Sequence, residues 1–347
     1  MLRQYFIDLA TDKENDAVAS LAKGVLFVLS LFYAVAVVTT RYLYKEGILD
    51  RKKFACKVIS VGNITWGGTG KTPLVIYLAK KLSTVNCQLS TNKVAVLLRG
   101  YGNDERHLLK EKLTDAVVIV GRDRIKGAAE AMKLQRDIVI LDDGFQHWRL
   151  ARDVDILMVD ALCPFGNGML IPRGILREPL SSLKNSDIVI LTNAFAAATP
   201  LLKVRLNKLS PKVQIFESTY KAVSLKNVDE GGVDFGEISA RRCAALCAIG
   251  NRGSFYNTLK EIGARIELEL PYPDHYDYKI SDVEEIADKC SSLGISTIVT
   301  TQKDMVKLRS YSLQLSAYSL QLMALEVEPE IKDEDRFLAR LYSLLNS

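Results

Sequence analysis

The run Val61–Pro73, VGNITWGGTGKTP, holds the residue types that can grip a chain of phosphates. Gly67, Gly68 and Gly70, with Thr69 among them, let the backbone come close to an anion and turn its N–H groups inward. A helix opening at the end of such a loop adds the positive end of its dipole. Lys71 is placed to reach the β/γ-phosphates of a nucleotide, and Thr72 to set its hydroxyl on Mg²⁺. The strict pattern wants a glycine five residues before Gly70, where this chain has Thr65. A glycine-rich segment can also be a plain tight turn, but GKT directly after an apolar strand favours the phosphate loop. A second motif, IVILDDGFQH over Ile138–His147, ends an apolar run in two acids. Asp142 and Asp143 then fall at a strand's C-terminal end, where open α/β sheets bind ligands. Asp142 is the expected Mg²⁺ ligand. The competing reading is a strand-to-loop turn, since Asp-Gly is turn chemistry.

These residues need elements to hold them. KVISV (57–61), VAVLL (94–98), VVIV (117–120), IVIL (138–141), ILMV (156–159) and IVIL (188–191) read as buried strands. Their hydrophobicity is continuous rather than alternating, as a parallel sheet covered on both faces requires. Residues 73–82 and 124–134 read as intervening helices. Around 219–240 the pattern weakens into NVDEGGVDFGE, a plausible boundary. Strands at 244–249, 265–270 and 297–300, and helices after Gly253 and across 281–293, make a second α/β unit. The expected fold class is therefore α/β: a P-loop NTPase-like, mostly parallel sheet with helices on both faces, a smaller second α/β domain, and an N-terminal membrane-associated helix.

That last element rests on Gly24–Thr40, GVLFVLSLFYAVAVVTT, which has no charge. As a helix it reaches ~25 Å against a hydrocarbon core of ~30 Å. A signal peptide is disfavoured because Asp8, Asp12, Glu14 and Asp16 outnumber Arg3 and Lys13 ahead of it. A buried core helix is the other reading, but the stretch is apolar all round. Arg41, Lys45, Arg51, Lys52, Lys53 and Lys57 follow it and place the remainder on the cytoplasmic side.

Composition agrees. The 347 residues suit about two domains, and 48% hydrophobic with 25% charged residues excludes wholesale disorder. Forty-six basic against 41 acidic residues leave a net charge of +5, compatible with anionic substrates or membranes but too small to argue for nucleic acid. Six scattered cysteines without a CxxC, and only three histidines, argue against a disulfide framework or zinc site. A GTPase would need a guanine-reading [NT]-K-x-D motif, and Thr301-Gln302-Lys303-Asp304 has the wrong spacing. A membrane-tethered regulatory ATPase or GTPase is the alternative class.

The chain resembles the tetraacyldisaccharide 4'-kinase (lipid A 4'-kinase) family of Gram-negative bacteria. The matching pieces are the apolar helix, VGNITWGGTGKTP, LLRGYG (97–102), VIVGRDR (118–124), ILDDGFQH, FGNGMLIPRGILREPL (165–180), AIGN (248–251), YPDHYDY (272–278) and TQKD. They span residues ~20–310, and the family's own loop also lacks the first Walker glycine. The resemblance implies an enzyme that moves the γ-phosphate of ATP, with Mg²⁺, to the 4'-hydroxyl of an acylated glucosamine disaccharide 1-phosphate, giving lipid IVA. It implies a place at the cytoplasmic face of the inner membrane. The expected division is 1–50 membrane-associated segment, 51–225 P-loop kinase domain and 226–347 smaller domain, in a monomer.

The family's Asp–His pair maps onto Asp104, within Asn103-Asp104-Glu105-Arg106, and His275, within Asp274-His275-Tyr276. Two positions of the first motif differ from the family's GDEP, and the second histidine of its DHH is a tyrosine here. A carboxylate bonded to imidazole fixes its tautomer and stabilises the imidazolium. Glu178 is a further expected Mg²⁺ ligand, and Gln146 an expected nucleotide or metal contact. His147 is expected to orient Asp142 or touch phosphate. Arg99, Arg124 and Arg177 are expected phosphate contacts, since guanidinium matches such anions, with structural ion pairs as the competing reading.

Overall fold

The apolar runs pair as their continuous hydrophobicity requires. The computed structural model describes residues 8–14, 16–84, 93–100, 103–194, 199–229, 231–239, 241–274 and 276–347, without the side chains of 103–105. Strands β1 (Lys57–Gly62), β2 (Val94–Leu98), β3 (Val117–Val120), β4 (Ile138–Asp142), β5 (Val154–Asp160) and β6 (Ile188–Thr192) lie in parallel. Their order in space is β6-β5-β1-β4-β2-β3. From β1 the chain first builds one side of the sheet and then the other, so a crevice opens beyond the C-terminal ends of β1, β4 and β5.

Strand neighbours point to opposite faces. Val96 and Ile140 pack under the helix Lys71–Thr84, against its Leu74, Leu78 and Leu82. Ala95, Leu97, Val139 and Leu141 meet Ala128 and Ala131 of the helix Arg124–Lys133 on the other face.

Residues 219–227, expected to begin a boundary, are instead strand. β7 (Gln214–Asn227) pairs in parallel with β6 through Ser218. It then continues antiparallel to β12 (Gln321–Ile331), from Ser218↔Ile331 to Asn227↔Met323. β12 in turn pairs in parallel with β11 (Thr297–Thr301), followed outward by β9 (Arg242–Cys247) and β10 (Arg265–Pro271), while the short β8 (Gly232–Val233) pairs with β7. One sheet thus runs through both halves by way of a two-stranded ribbon. After β12 the helix Glu334–Leu345 returns to the first half and buries Phe337, Leu341 and Leu345 in its core. The strand expected at 244–249 ends at Cys247, because the Ala248 N–H leaves the ladder and donates to the Asp304 carboxylate at 2.9 Å.

The ribbon carries one dense polar junction. Glu326 of β12 accepts from Ser224 of β7, from Gln302 at 2.8 Å and from Lys112, the last residue of the helix Asn103–Lys112, and pairs with Lys226 at 3.0 Å. Burial alone would raise this carboxyl, but bonds from Lys112, Ser224 and Lys226 hold it down at about 2. A depressed carboxyl stabilises the fold above its unfolded pKa, near 4.3 for glutamate, and that contribution fades as pH falls toward 2. Glu326→Gln is therefore expected to lower Tm at pH 7, with the gap to wild type narrowing at pH 3.5. A gap that is constant or widens on acidification, by circular dichroism melts, would contradict this.

The helix Ala17–Lys45 is longer than the apolar core of its sequence, 29 residues or about 44 Å. Asp16 caps its start by accepting from the Ala19 N–H. Only a narrow stripe turns inward, including buried Ala19 and Ser30. Leu21, Val25, Val28, Leu29, Leu31, Phe32, Val35 and Val38 are exposed, a contiguous apolar face along the helix of the kind that marks an interaction surface.

Candidate active site

The loop between β1 and the helix Lys71–Thr84 is braced from outside. Trp66 N–H donates to Ile175 O at 2.6 Å and Arg177 N–H to Ile64 O at 2.7 Å, so the segment 175–177 runs along the loop as a short antiparallel partner. This fixes the loop's path and brings the Arg177 side chain over it. Gly70 has φ +80°, where a side chain is strained, and a Cβ there would fall 1.5 Å from the Tyr220 hydroxyl of β7. The ribbon thus presses a tyrosine against the point where loop becomes helix, and only glycine fits.

Inside this frame the charges interlock. Lys71 Nζ lies 3.2 Å from Asn63 Oδ1 and 3.5 Å from Asp143 Oδ1. Arg177 donates to both oxygens of Asp143, at 2.8 and 3.1 Å, and to Asn63 Oδ1 at 3.4 Å. Burial by itself would raise the Asp143 carboxyl, but the Lys71 ammonium and the Arg177 guanidinium together hold it below its ordinary value. It is therefore ionised at neutral pH. Thr72 donates its hydroxyl to Asp142 Oδ2 at 3.4 Å, at the end of β4. Behind Asp142, the buried Arg124 donates to its backbone carbonyl at 2.7 Å and braces the strand end.

These groups line one wall of a cleft of about 480 Å³, together with Gly67–Thr72, Arg99 and Arg106. The facing wall belongs to the second half and includes Gly250, Asn251, Asp274, Gln302 and Lys303. The two walls touch where a Cβ on Gly250 would come within 2.9 Å of the Gly68 nitrogen. They are tied by Asp160 at the end of β5, which accepts from Asn193 at 2.8 Å and from Asn251 at 3.3 Å. TQKD acts as a brace beneath this wall. Thr301 caps the helix Gln302–Leu308, and Asp304 accepts from the Thr301 hydroxyl at 2.7 Å and from Ala248 N–H.

The structure therefore brings together Gly67, Gly68, Thr69, Gly70, Lys71, Thr72, Arg99, Asp142, Asp143 and Arg177. Four expected residues stand elsewhere. Glu178, expected on Mg²⁺, is 1% exposed, off the cleft, and faces the Arg41 guanidinium of the N-terminal helix at 3.9 Å. Burial raises its carboxyl, against which Ser182 and Arg41 act. It is a structural ion-pair partner here, because the helix covers it before the cleft is reached. Gln146, expected on the nucleotide or metal, instead donates to the Asn63 carbonyl at 2.8 Å and positions the loop. Arg124 braces rather than lines. His147 sits behind the strand end, where burial and then Arg124, Arg152 and Arg149 push its pKa down to about 4, leaving it neutral. Asp104 falls in the first turn of the helix Asn103–Lys112, but its side chain, and all of His275, lie outside the described residues. Asn63, Asp160, Asn251 and Tyr220 join the site without being singled out by type or spacing; the sequence signals are the polar Asn63 directly after an apolar strand and Asn251 at the end of AIGN.

The donors at Thr72 and Asp142 fit Mg²⁺, which takes one or two protein oxygens and completes its shell with phosphate and water. Among the described residues there is no cluster of three or more His, Cys, Asp or Glu that would hold a metal without them.

A family model described as Tetraacyldisaccharide-1-P 4'-kinase matches residues 22–346. Tetraacyldisaccharide 4'-kinase of Halothermothrix orenii is 35% identical over 344 residues, 88% of this chain and 88% of the relative. The enzyme of that name from Syntrophus aciditrophicus is 37% identical over 320 residues, 82% of this chain and 83% of its own length. The crystal structure of the Aquifex aeolicus protein LpxK in complex with ATP superposes with a TM-score of 0.71 at 29% identity, covering 93% of this chain and 99% of that one. With a match that begins inside the apolar helix and ends one residue short of the C-terminus, the chain belongs to the tetraacyldisaccharide-1-P 4'-kinase family.

Proposed function

We infer that this chain transfers the γ-phosphate of ATP to the 4'-hydroxyl of tetraacyldisaccharide 1-phosphate, the step that gives lipid IVA in lipid A biosynthesis. One observation carries the reading at this site: Lys71, Thr72, Asp142, Asp143 and Arg177 converge on a glycine-built cradle at one wall of a cleft whose other wall belongs to the second half. The loop N–H groups and the helix dipole bind the triphosphate. Lys71 and Arg177 draw off the charge of the transferring phosphoryl group, the interaction that grows toward the transition state. Asp143 and Asn63 hold both cations in register before a phosphate arrives. Thr72 and Asp142 would hold Mg²⁺, which when bound neutralises phosphate charge.

The base that takes the acceptor's proton is the Asp104–His275 pair. Its support is positional. Arg106, two residues beyond Asp104, and Asp274, immediately before His275, both line the cleft.

The apolar helix inserts at the cytoplasmic face of the inner membrane, where the acceptor's acyl chains reside. Its exposed leucines, valines and phenylalanine, and the basic residues that follow it, support this. Both cleft walls come from one chain, which supports a monomer. The ribbon β7–β12 supports a division near residue 226, with the last helix returning to the kinase domain. Release of ADP by the purified protein in detergent should require both Mg²⁺ and the acylated disaccharide. Release at an equal rate without the lipid would favour a regulatory ATPase instead.

A further inference from the structure

The N-terminal helix ends two of its inward contacts on Arg177 and the residues just after it. Tyr33 donates its hydroxyl to the Arg177 carbonyl at 2.8 Å. Two turns on, Arg41 donates to the Ser182 hydroxyl and faces the buried Glu178 carboxylate at 3.9 Å. The Arg41 guanidinium also lies 5.5 Å from the centre of the Trp148 ring, which Arg152 approaches at 4.9 Å. Arg152 in turn donates to the carbonyls of Gly144, Phe145 and His147, the turn that follows Asp142 and Asp143. The helix therefore reaches both segments that present charged groups to the cleft: directly the strand-like segment that carries Arg177, and through Trp148 and Arg152 the turn after β4. Arg177 is the residue whose guanidinium reaches Asp143 and Asn63, the same two groups that hold Lys71.

We propose that the N-terminal helix is a working part of the nucleotide site, with Tyr33 and Arg41 as positioning residues that set Arg177 and Asp143 against Lys71. The proposal rests on the reading of the cleft as the ATP site. Neither residue lines the cleft; each acts through Arg177 or the turn after β4. Since the rest of the helix presents an apolar surface, its seating on the fold couples contact with lipid to the order of the phosphate cradle. A protein whose helix is displaced would keep its sheet and its cleft and lose affinity for ATP.

The test uses the full-length protein in detergent micelles and in vesicles, with ATP affinity read by a fluorescent ATP analogue and membrane association by flotation. Tyr33→Phe removes one hydroxyl and is expected to weaken ATP binding by about 2- to 10-fold, the range of a single hydrogen bond, with flotation unchanged. Arg41→Gln is expected to weaken it further and Arg41→Lys to recover part of the loss, because the ammonium keeps the charge beside Glu178 but loses the guanidinium's fork of donors. Val28→Ala, on the exposed face, is the comparison: reduced flotation with unchanged ATP affinity in micelles. Wild-type ATP affinity in both Tyr33→Phe and Arg41→Gln would overturn the proposal, whatever happens to flotation. Lys71→Ala separates the two readings. Wild-type affinity in that variant would refute the ATP site itself, whereas loss there beside unchanged Tyr33→Phe and Arg41→Gln refutes only the role of the helix.

Discussion

Replacing Lys71 with alanine is expected to lower phosphate transfer on the order of 10²–10³-fold, the usual cost of deleting one preorganised donor to a developing oxyanion. The geometry explains why a neighbour cannot substitute. Arg177, the other cation of the cradle, is already committed to both oxygens of Asp143 and is fixed by the pairing of its own backbone with Ile64. Asp143 would keep one of the two cations that hold it ionised. Lys71→Arg should not restore activity, because the guanidinium is broader than the ammonium and Asn63 and Asp143 are spaced for a compact point charge. Steady-state kinetics with saturating lipid checks this. Activity within threefold of wild type in Lys71→Ala would contradict it.

The second large effect concerns the proton. A sugar hydroxyl is a weak nucleophile at neutral pH, and a positioned base contributes ~10²–10⁴-fold. His275→Ala and Asp104→Asn are expected to lose activity in that range while binding ATP normally, since neither belongs to the phosphate cradle. Both residues have well-anchored neighbours. The helix Asn103–Lys112 is tied by Lys112 to Glu326. Beside His275, Tyr276 packs between Tyr272 and Tyr278 with ring centres 4.8 and 5.5 Å away, donates to Asp282 at 3.1 Å, and accepts from Lys307 at its carbonyl at 2.8 Å. Unchanged turnover in both variants would remove the pair from the reaction.

The parts of this protein that could be read from the sequence are those where one local rule dominates. A mostly apolar strand followed four residues later by GGTGKT leaves one arrangement, and β1, β4 and the loop between β1 and its helix are found where the pattern puts them. The ribbon was illegible for the opposite reason. In SLKN and LEVEPE, lysine and glutamate alternate with apolar residues on a half-exposed two-stranded segment, which looks like a loop unless its partner about a hundred positions away is known. Glu178 shows the same limit at the site. A carboxylate between Arg177 and Pro179 reads as a metal ligand, and only the fold reveals that Arg41 from the N-terminal helix reaches it first. Tyr220 against Gly70, and Asn251 on Asp160, are likewise contacts between distant segments that no spacing announces.

Where the phosphate goes decides the function. Purified protein, ATP and Mg²⁺ should convert a tetraacylated disaccharide 1-phosphate into a 1,4'-bisphosphate, seen as one added phosphate by mass and as a second phosphomonoester resonance coupled to the 4' proton by NMR. ATP consumed with the disaccharide left as its 1-phosphate, or phosphorylated at any other hydroxyl, would contradict it.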